Sequence, residues 1–110
     1  MIYRSKYGNK RIETPDGMFD SKAEYERWCE LQLLQRIGSI TDLKRQVKFV
    51  LIDKSEHGRE LSYIADFTYQ DGDEKVIEDV KSEATKTPLY RLKKRLVAER
   101  YGIDIKEVKR

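Results

Sequence analysis

Two aspartates and one lysine stand out because they lie within apolar segments. Asp66 interrupts one apolar run, and Asp79 lies in a second one, two residues before Lys81. Because side chains alternate along a strand, Asp79 and Lys81 are expected on one face and Glu78 on the other. Charged groups are rarely buried unless they are paired or coordinate a metal. The pattern therefore predicts a polar site within the core.

The two aspartates are expected to face each other across a pair of strands. If the connecting hairpin pairs Gln70 with Lys75, Asp66 lies directly opposite Asp79. Facing carboxylates repel each other, whereas Mg²⁺ binds one or two carboxylates and keeps positions for water and phosphate. Mg²⁺ or Mn²⁺ at this point would polarise a phosphate and lower the pKa of a water. Lys81 would orient that water or stabilise charge on the phosphate.

A third carboxylate, Glu24, lies near the start of a predicted helix. Ser21 and Glu24 form a capping-box pattern, and a helix of about 17 residues is expected to end before Gly38. Trp28 and Leu31 share a helical face with Glu24. Glu24 would complete the helix cap, serve as a further metal ligand directly or through water, or do both.

The elements that carry these residues follow the order α-β-β-β-α-β after an N-terminal hairpin. The turn Thr14-Pro15-Asp16-Gly17 predicts the hairpin. Apolar patterning predicts strands at 44–52, 61–69 and 75–82, and a short last strand at 103–105. A second helix is expected from Pro88 to about residue 100. Leu89, Leu92 and Leu96 repeat at helical spacing and are expected on its apolar face, with Arg91, Lys94 and Arg95 on the outer face.

These elements predict an α/β (α+β) fold with a mixed central sheet flanked by helices. The 110 residues suffice for one core but not for two. Residues 1–110 are therefore expected to form one domain, with an arm and hairpin at 1–20 and the core at 21–110. The single cysteine, Cys29, excludes an internal disulfide and is expected in the core. No apolar run suits a membrane span or a secretory signal, so a cytoplasmic location is expected.

The arrangement of the acidic residues resembles the PD-(D/E)XK nuclease superfamily. Asp66 is followed after twelve residues by Asp79-Val80-Lys81, with Glu24 on a preceding helix. Ala65 stands where the motif's proline would precede the aspartate. The chain looks most like small phage-encoded nuclease-like proteins of this superfamily. The resembling stretches are Lys6 to Lys10, Phe19 to Glu24, Tyr63 to Phe67 and Ile77 to Ser82.

The resemblance implies a restriction-endonuclease-like αβββαβ core and a Mg²⁺-dependent DNA endonuclease. Branched or flapped DNA is one implied substrate class, as for phage resolvases, and the site of action would be the host cytoplasm. The implied catalytic residues are Glu24, Asp66, Asp79 and Lys81, of which the three acids would bind the metal. A bulge in the strand would instead bring Glu78 into the site in place of Asp79.

Basic residues near both ends of the chain predict contact with DNA. The net charge of +3 hides an acidic middle between a basic N-terminal segment and a basic second helix. This distribution suits a protein that holds both cations and a polyanion, and it also suits solvated helix faces. Lys86 is the first candidate for a phosphate contact, and Ser82 and Gln46 are further candidates near the site. The predicted DNA contacts are Lys10, Arg11, Lys86, Arg91, Lys94 and Arg95.

Two other functions are compatible with the same sequence. One is a non-catalytic DNA-binding module that keeps the nuclease fold, and the other is a phage adaptor protein. A homodimer is a further expectation, because cutting at two positions needs two active sites. Metal-dependent stabilisation would distinguish the enzyme from the binding module.

Overall fold

The computed structural model describes residues 10–110, which contain an N-terminal hairpin, two helices and four longer strands. The hairpin consists of β1 (Ile12–Thr14) and β2 (Gly17–Phe19), and α1 (Lys22–Arg36) follows it. The remaining elements are β3 (Thr41–Ile52), β4 (Leu61–Asp71), β5 (Glu74–Lys81), a short 3₁₀ helix (Glu83–Thr85), α2 (Pro88–Tyr101) and β6 (Lys106–Lys109). Residues 1–9 of the predicted arm, with the stretch of family resemblance up to Asn9, lie outside the described residues.

The four longer strands form one mixed sheet in the order β3-β4-β5-β6. Strands β3, β4 and β5 are antiparallel neighbours, whereas β6 runs parallel to β5. Parallel neighbours need a crossover connection, which α2 provides. The predicted mixed α+β architecture, with two helices, a mixed sheet and an N-terminal hairpin, is confirmed.

The pairing of β4 with β5 brings the two predicted aspartates to the same level of the sheet. Gln70 pairs with Lys75 as expected, and the ladder ends at the pair of Phe67 and Glu78. Beyond this point β4 stays paired with β3, and β5 stays paired with β6. The two strands therefore form a fork, and Asp66 and Asp79 are the first residues beyond it.

Two apolar cores cover the two faces of the sheet. On one face Leu31 of α1 packs with Phe67 and Tyr69. On the other face Val97 of α2 packs with Ile77 and several residues of β4. Each helix therefore buries one apolar stripe against the sheet, as expected for helices that flank a mixed sheet.

The alternation of side chains along β4 changes at Asp66. The preceding residues Tyr63 and Ala65 belong to the core against α2, whereas Phe67 and Tyr69 belong to the core against α1. Strict alternation would place all four on one face. The strand therefore changes the side to which its apolar residues point at the position of the aspartate.

A backbone irregularity in β3 lies across from this position. Gln46 has a left-handed φ of 56°, while Arg45 and Val47 on either side keep their pairs with β4. Irregular strand positions re-aim side chains and are common next to active sites. The local backbone is therefore suited to present Asp66 at a cleft.

The helix boundaries agree with the capping signals in the sequence. The Ser21 hydroxyl accepts the Glu24 N–H at 3.1 Å, and Gly38 follows α1 with a φ of 85°. Thr87 caps α2, and Gly102 closes it with a left-handed φ of 70°. No helix within residues 10–110 is both long and apolar enough to cross a membrane.

Three expectations about local structure are wrong. The last strand begins at Lys106 rather than at residue 103, because Ile105 packs into the core before the parallel pairing with β5 begins. Leu89 and Leu92 are 56% and 50% exposed. The buried face of α2 contains Tyr90 and Val97, which are seven residues apart and so share a side. Of the three leucines, only Leu96 packs against this core, and it is partly buried. Cys29 is exposed on α1.

Candidate functional site

A cleft of about 530 Å³ lies beside the fork between β4 and β5. Its lining includes Asp66, Asp79 and Lys81, together with the rings of Tyr63 and Tyr90. We call it the acidic cleft. The structure thus brings three of the four predicted catalytic residues to one cavity.

Asp66 and Asp79 bridge the gap that opens where the ladder stops. The N–H of Asp66 donates to Asp79 Oδ1 at 2.8 Å, and the N–H of Val80 donates to Asp66 Oδ2 at 2.9 Å. These carboxylates satisfy backbone groups that would otherwise lack partners. Among residues 10–110, Asp66 Oδ1 has no hydrogen-bond partner. That oxygen is available to a ligand in the acidic cleft.

Lys81 is held beside Asp79 by two kinds of contact. Its Nζ lies 3.5 Å from Asp79 Oδ2, which also accepts a hydrogen bond from the Tyr63 hydroxyl. The same Nζ lies 4.0 Å from the centroid of the Tyr90 ring, a cation–π geometry. Its side chain is only 17% exposed. The ammonium group therefore has a defined position next to the carboxylates.

Glu24 is almost completely buried on α1 and interacts electrostatically with both aspartates. Gln46 Nε2 donates to Glu24 Oε1 at 3.1 Å, so the predicted proximity of Gln46 to the acidic residues is seen. The backbone of Asp20 also interacts favourably with the Glu24 carboxylate and opposes the rise in its pKa. The helix cap uses the backbone N–H of Glu24, whereas the Glu24 carboxylate has other partners. Glu24 is therefore more than a capping residue.

Burial raises the pKa of all three carboxyl groups. Desolvation, with repulsion from Asp79 and Glu24, raises the pKa of Asp66 to about 8. Desolvation and neighbouring carboxylates raise the pKa of Glu24 to about 7. Desolvation also raises the pKa of Asp79, against the opposing effects of its tyrosine and lysine partners. The surrounding groups therefore do not fully compensate the negative charge, which favours the binding of a cation.

The available donor atoms fit Mg²⁺ or Mn²⁺. Carboxylate oxygens are the hard ligands that these ions prefer, and one or two of them suffice when water and phosphate complete the coordination. Within the described residues, no group of three or more Asp, Glu, His or Cys side chains is arranged to hold an ion. Asp66 and Asp79 form the candidate pair, and a ligand role for Glu24 stays a prediction.

Glu78 lies on the opposite face of the sheet from this pair. Its fully buried carboxylate accepts from Arg27 Nε and Nη2 at 2.5 and 3.1 Å and from the Tyr69 hydroxyl at 2.6 Å. Strand β5 pairs regularly with β6 from Glu78 to Lys81. The structure therefore has Glu78 outside the acidic cleft, and the bulge considered in the sequence analysis is not seen there.

The basic residues predicted on and before α2 divide into two groups. Lys86 and Lys94 lie 3.5 and 3.3 Å from the carboxylate of Glu107 on β6. Arg91 and Arg95 are exposed and form no ion pair with residues 10–110. The charges of the two lysines are therefore compensated within the protein, whereas those of the two arginines are not.

A second groove, of about 500 Å³, shares Lys81 and Thr85 with the acidic cleft. Its four cations are Lys10, Lys22, Lys81 and Arg110. The hydroxyl-bearing residues that line it are Ser21, Ser82 and Thr85. We call it the basic groove. The predicted residues Lys10 and Ser82 line this groove, whereas Arg11 lies 3.5 Å from Asp20.

A family model described as "Protein of unknown function (DUF1064)" matches residues 4–109. The match spans nearly the whole sequence. The chain belongs to the DUF1064 family. Comparisons of this DUF1064 protein with curated proteins and with solved structures found no significant match.

Sequence analysis missed several residues of the candidate site and the basic groove. Tyr63 and Tyr90 fit apolar patterns and lie in the core, and only their hydroxyl partners reveal a polar role. Lys22 follows the helix cap without any motif of its own. Arg110 reaches the basic groove only through the pairing of β6 with β5. These contacts are long-range in sequence, so a local pattern does not contain them.

Proposed function

We propose that this DUF1064 protein is a Mg²⁺- or Mn²⁺-dependent endonuclease that hydrolyses phosphodiester bonds in DNA. The observation that carries the proposal is the pair of Asp66 and Asp79 at the fork, with Lys81 beside it in an open cleft. The backbone hydrogen bonds that the two carboxylates accept at the fork do not offset the cost of keeping them together, since the pKa values of both are raised. Their mutual repulsion is unfavourable unless a cation offsets it.

Each residue has a distinct part in the proposed reaction. Asp66 and Asp79 would hold the ion, which would supply charge stabilisation for a phosphoryl oxygen and a nucleophilic water at neutral pH. The Lys81 ammonium donates to a phosphate oxygen or orients the attacking water. Tyr63 fixes the carboxylate of Asp79 through its hydroxyl. Glu24 is proposed as a further ligand, directly or through water.

The order of the elements supports a restriction-endonuclease-like core. Helix α1, strands β3, β4 and β5, helix α2 and strand β6 follow one another in the αβββαβ order. The acidic residues come from α1, β4 and β5, and the lysine follows Asp79 by two residues. The resemblance to PD-(D/E)XK nucleases predicts the acidic residues and the lysine at these positions.

Two exposed apolar residues support branched or flapped DNA as the substrate class. Ile64 and Leu89 are 54% and 56% exposed and line the acidic cleft. Apolar side chains of this kind insert between bases or pack on them where stacking is interrupted. DNA with unpaired or unstacked bases near the cleavage point would therefore suit the cleft better than continuous duplex.

The proposal is tested by cleavage of labelled single-stranded, duplex, flapped and four-way DNA with Mg²⁺ or Mn²⁺. We expect Asp66→Asn and Lys81→Ala to lower the rate by about 10²-fold or more, because each removes stabilisation of developing charge. Circular dichroism checks that both variants fold. Asp73→Asn, in the exposed turn between β4 and β5, is the matched control and should cleave like the wild type.

Two outcomes would contradict the proposed enzyme. One is the absence of cutting on all four DNA structures with either metal. The other is cutting that survives in Asp66→Asn, which would point to a contaminating nuclease. Tight DNA binding without cleavage would instead favour the non-catalytic DNA-binding module.

A further inference from the structure

The basic groove differs from the acidic cleft because no aspartate or glutamate is among the described residues that line it. Four of its ten lining residues are cations, and three more carry hydroxyl groups. Lysine, arginine, serine and threonine side chains are the groups that commonly contact phosphate oxygens. The composition of the groove therefore matches a chain of phosphates better than a cation or an apolar ligand.

The basic groove is continuous with the acidic cleft. Lys81 and Thr85 line both cavities. A strand that crosses Lys81 would therefore pass from a cationic surface directly to the pair of Asp66 and Asp79. This continuity gives the groove a place relative to the proposed reaction, because it lies on one side of the point of cleavage.

The charges in the groove are only partly compensated by the protein. Lys10 forms no ion pair with residues 10–110. Lys22 lies 3.9 Å from Glu26, but its side chain is 82% exposed, and such a pair contributes little. Arg110 is more strongly held, by Glu30 and by Glu26 at 3.6 Å. Lys10 and Lys22 are therefore the two cations most available to an external anion.

The position of Lys22 provides a second reason. It is the first residue of α1, where a positive charge opposes the helix dipole. A lysine here does not help the helix itself. An anion in the groove would be attracted both by this ammonium and by the N-terminal end of α1.

We infer that the basic groove binds the phosphodiester backbone of a DNA strand on one side of the cleavage point. This inference rests on the proposed function, and it assigns the main backbone contacts to Lys10 and Lys22. Lys86 and Lys94, predicted from the sequence, contribute less because Glu107 already binds them.

The test measures binding without cleavage, by fluorescence anisotropy of a labelled single-stranded DNA oligonucleotide in EDTA at several salt concentrations. In Lys10→Gln/Lys22→Gln we expect affinity to fall about tenfold and the salt slope to decrease by about 1.4, the value for two phosphate contacts on single strands. The control is Lys54→Gln/Lys75→Gln, which removes the same charge at exposed positions outside both cavities. It should keep the wild-type slope.

A third double variant, Arg91→Gln/Arg95→Gln, tests the exposed arginines of α2 as the rival surface. The inference is wrong if this variant loses affinity while Lys10→Gln/Lys22→Gln does not, or if the wild type binds no oligonucleotide. It is also wrong if the variants and the control lose affinity equally, because only net charge would then matter. An RNA oligonucleotide of the same sequence that binds in place of DNA would overturn the choice of DNA.

These binding results are separable from the proposed function. If the wild type cuts DNA but the groove variants bind normally, only the groove assignment fails. If binding depends on the groove but no DNA is cut, only the endonuclease fails.

Discussion

At the scale of single residues, the site is governed by carboxyl groups whose charged form is disfavoured by burial. The pKa of Asp66 is raised to about 8 and that of Glu24 to about 7, in both cases mainly by desolvation. Lys81 and hydrogen bonds to the carboxylates oppose this effect without cancelling it. The folded protein without metal therefore prefers to keep a proton on these groups, and its stability must depend on pH.

The first consequence is a loss of stability as pH rises in the absence of metal. The pKa values of these groups are higher in the folded protein than in the unfolded chain, so their protonation favours folding. This contribution to the free energy of unfolding is fully present below about pH 4 and is lost as the pH rises through 7 to 8. We expect the free energy of unfolding in EDTA to fall between pH 5 and pH 8.5, by on the order of a few kcal/mol. Urea titrations at each pH measure it.

Asp66→Asn is the informative variant for this prediction. It should flatten the pH dependence and be more stable than the wild type at pH 8.5. Asp73→Asn, in an exposed turn, should change neither quantity. A wild-type protein that becomes more stable from pH 5 to pH 8.5 in EDTA would show that the charges are compensated by some other group.

At the scale of elements, the position of Asp79 depends on how β5 is held from its other face. Glu78, its neighbour in the strand, is fully buried and bound by Arg27 of α1 and by Tyr69 of β4. This ion pair links α1, which carries Glu24, to the strand that carries Asp79. The two sides of the sheet are therefore coupled through a single strand.

The second prediction concerns this buried ion pair. Arg27→Ala leaves the Glu78 charge buried without its main partner, and removing one member of such a pair costs about 3–5 kcal/mol. We expect unfolding free energy, measured by urea denaturation at pH 7, to fall by about 3 kcal/mol, because the Arg27 side chain retains 16% exposure.

The matched control for Arg27 is Arg91→Ala on the exposed face of α2. Its stability should stay within about 0.5 kcal/mol of the wild type. If Arg27→Ala and Arg91→Ala are equally stable, the ion pair between Arg27 and Glu78 does not stabilise the packing of β5. The Arg27→Ala/Glu78→Leu double variant should recover part of the loss, since no unpaired charge then remains.

At the scale of the whole molecule, a working metal site couples ion binding to folding. In the proposed site, the ion would bind the folded arrangement of Asp66 and Asp79, which the unfolded chain lacks. Mass action then stabilises the fold by about 2.7 kcal/mol at a free Mn²⁺ concentration of about one hundred times Kd. We expect the melting temperature to rise with Mn²⁺, and to rise more at pH 8 than at pH 5 because the ligands must be deprotonated.

Two tyrosine variants make the metal prediction specific to the site. Tyr63→Phe removes the hydroxyl that binds Asp79, and loss of such a supporting partner lowers metal affinity by about 10- to 100-fold. Tyr101→Phe removes a hydroxyl that donates to the Val50 carbonyl, away from the acidic cleft, and should keep the wild-type response. Stabilisation by Mn²⁺ that persists in Asp66→Asn would place the ion elsewhere.

The sequence by itself determined most of the elements and the level of the two aspartates in the sheet. Helix caps, glycine positions and apolar periodicity are local signals, and they predicted α1, α2, the hairpin and three strands. The level of Asp66 relative to Asp79 also followed from local information, because the short turn between β4 and β5 sets their register.

Only the tertiary structure decided how the site is completed and which cations are available. The irregular backbone at Gln46, the burial of Tyr90 in place of Leu89 and Leu92, and the pairing of Lys86 with Glu107 all depend on elements far apart in sequence. The basic groove likewise joins Lys10 and Arg110 from opposite ends of the described chain. Long-range packing determines which of several faces of similar polarity on an element is buried. The sequence pattern of that element alone does not distinguish between these faces.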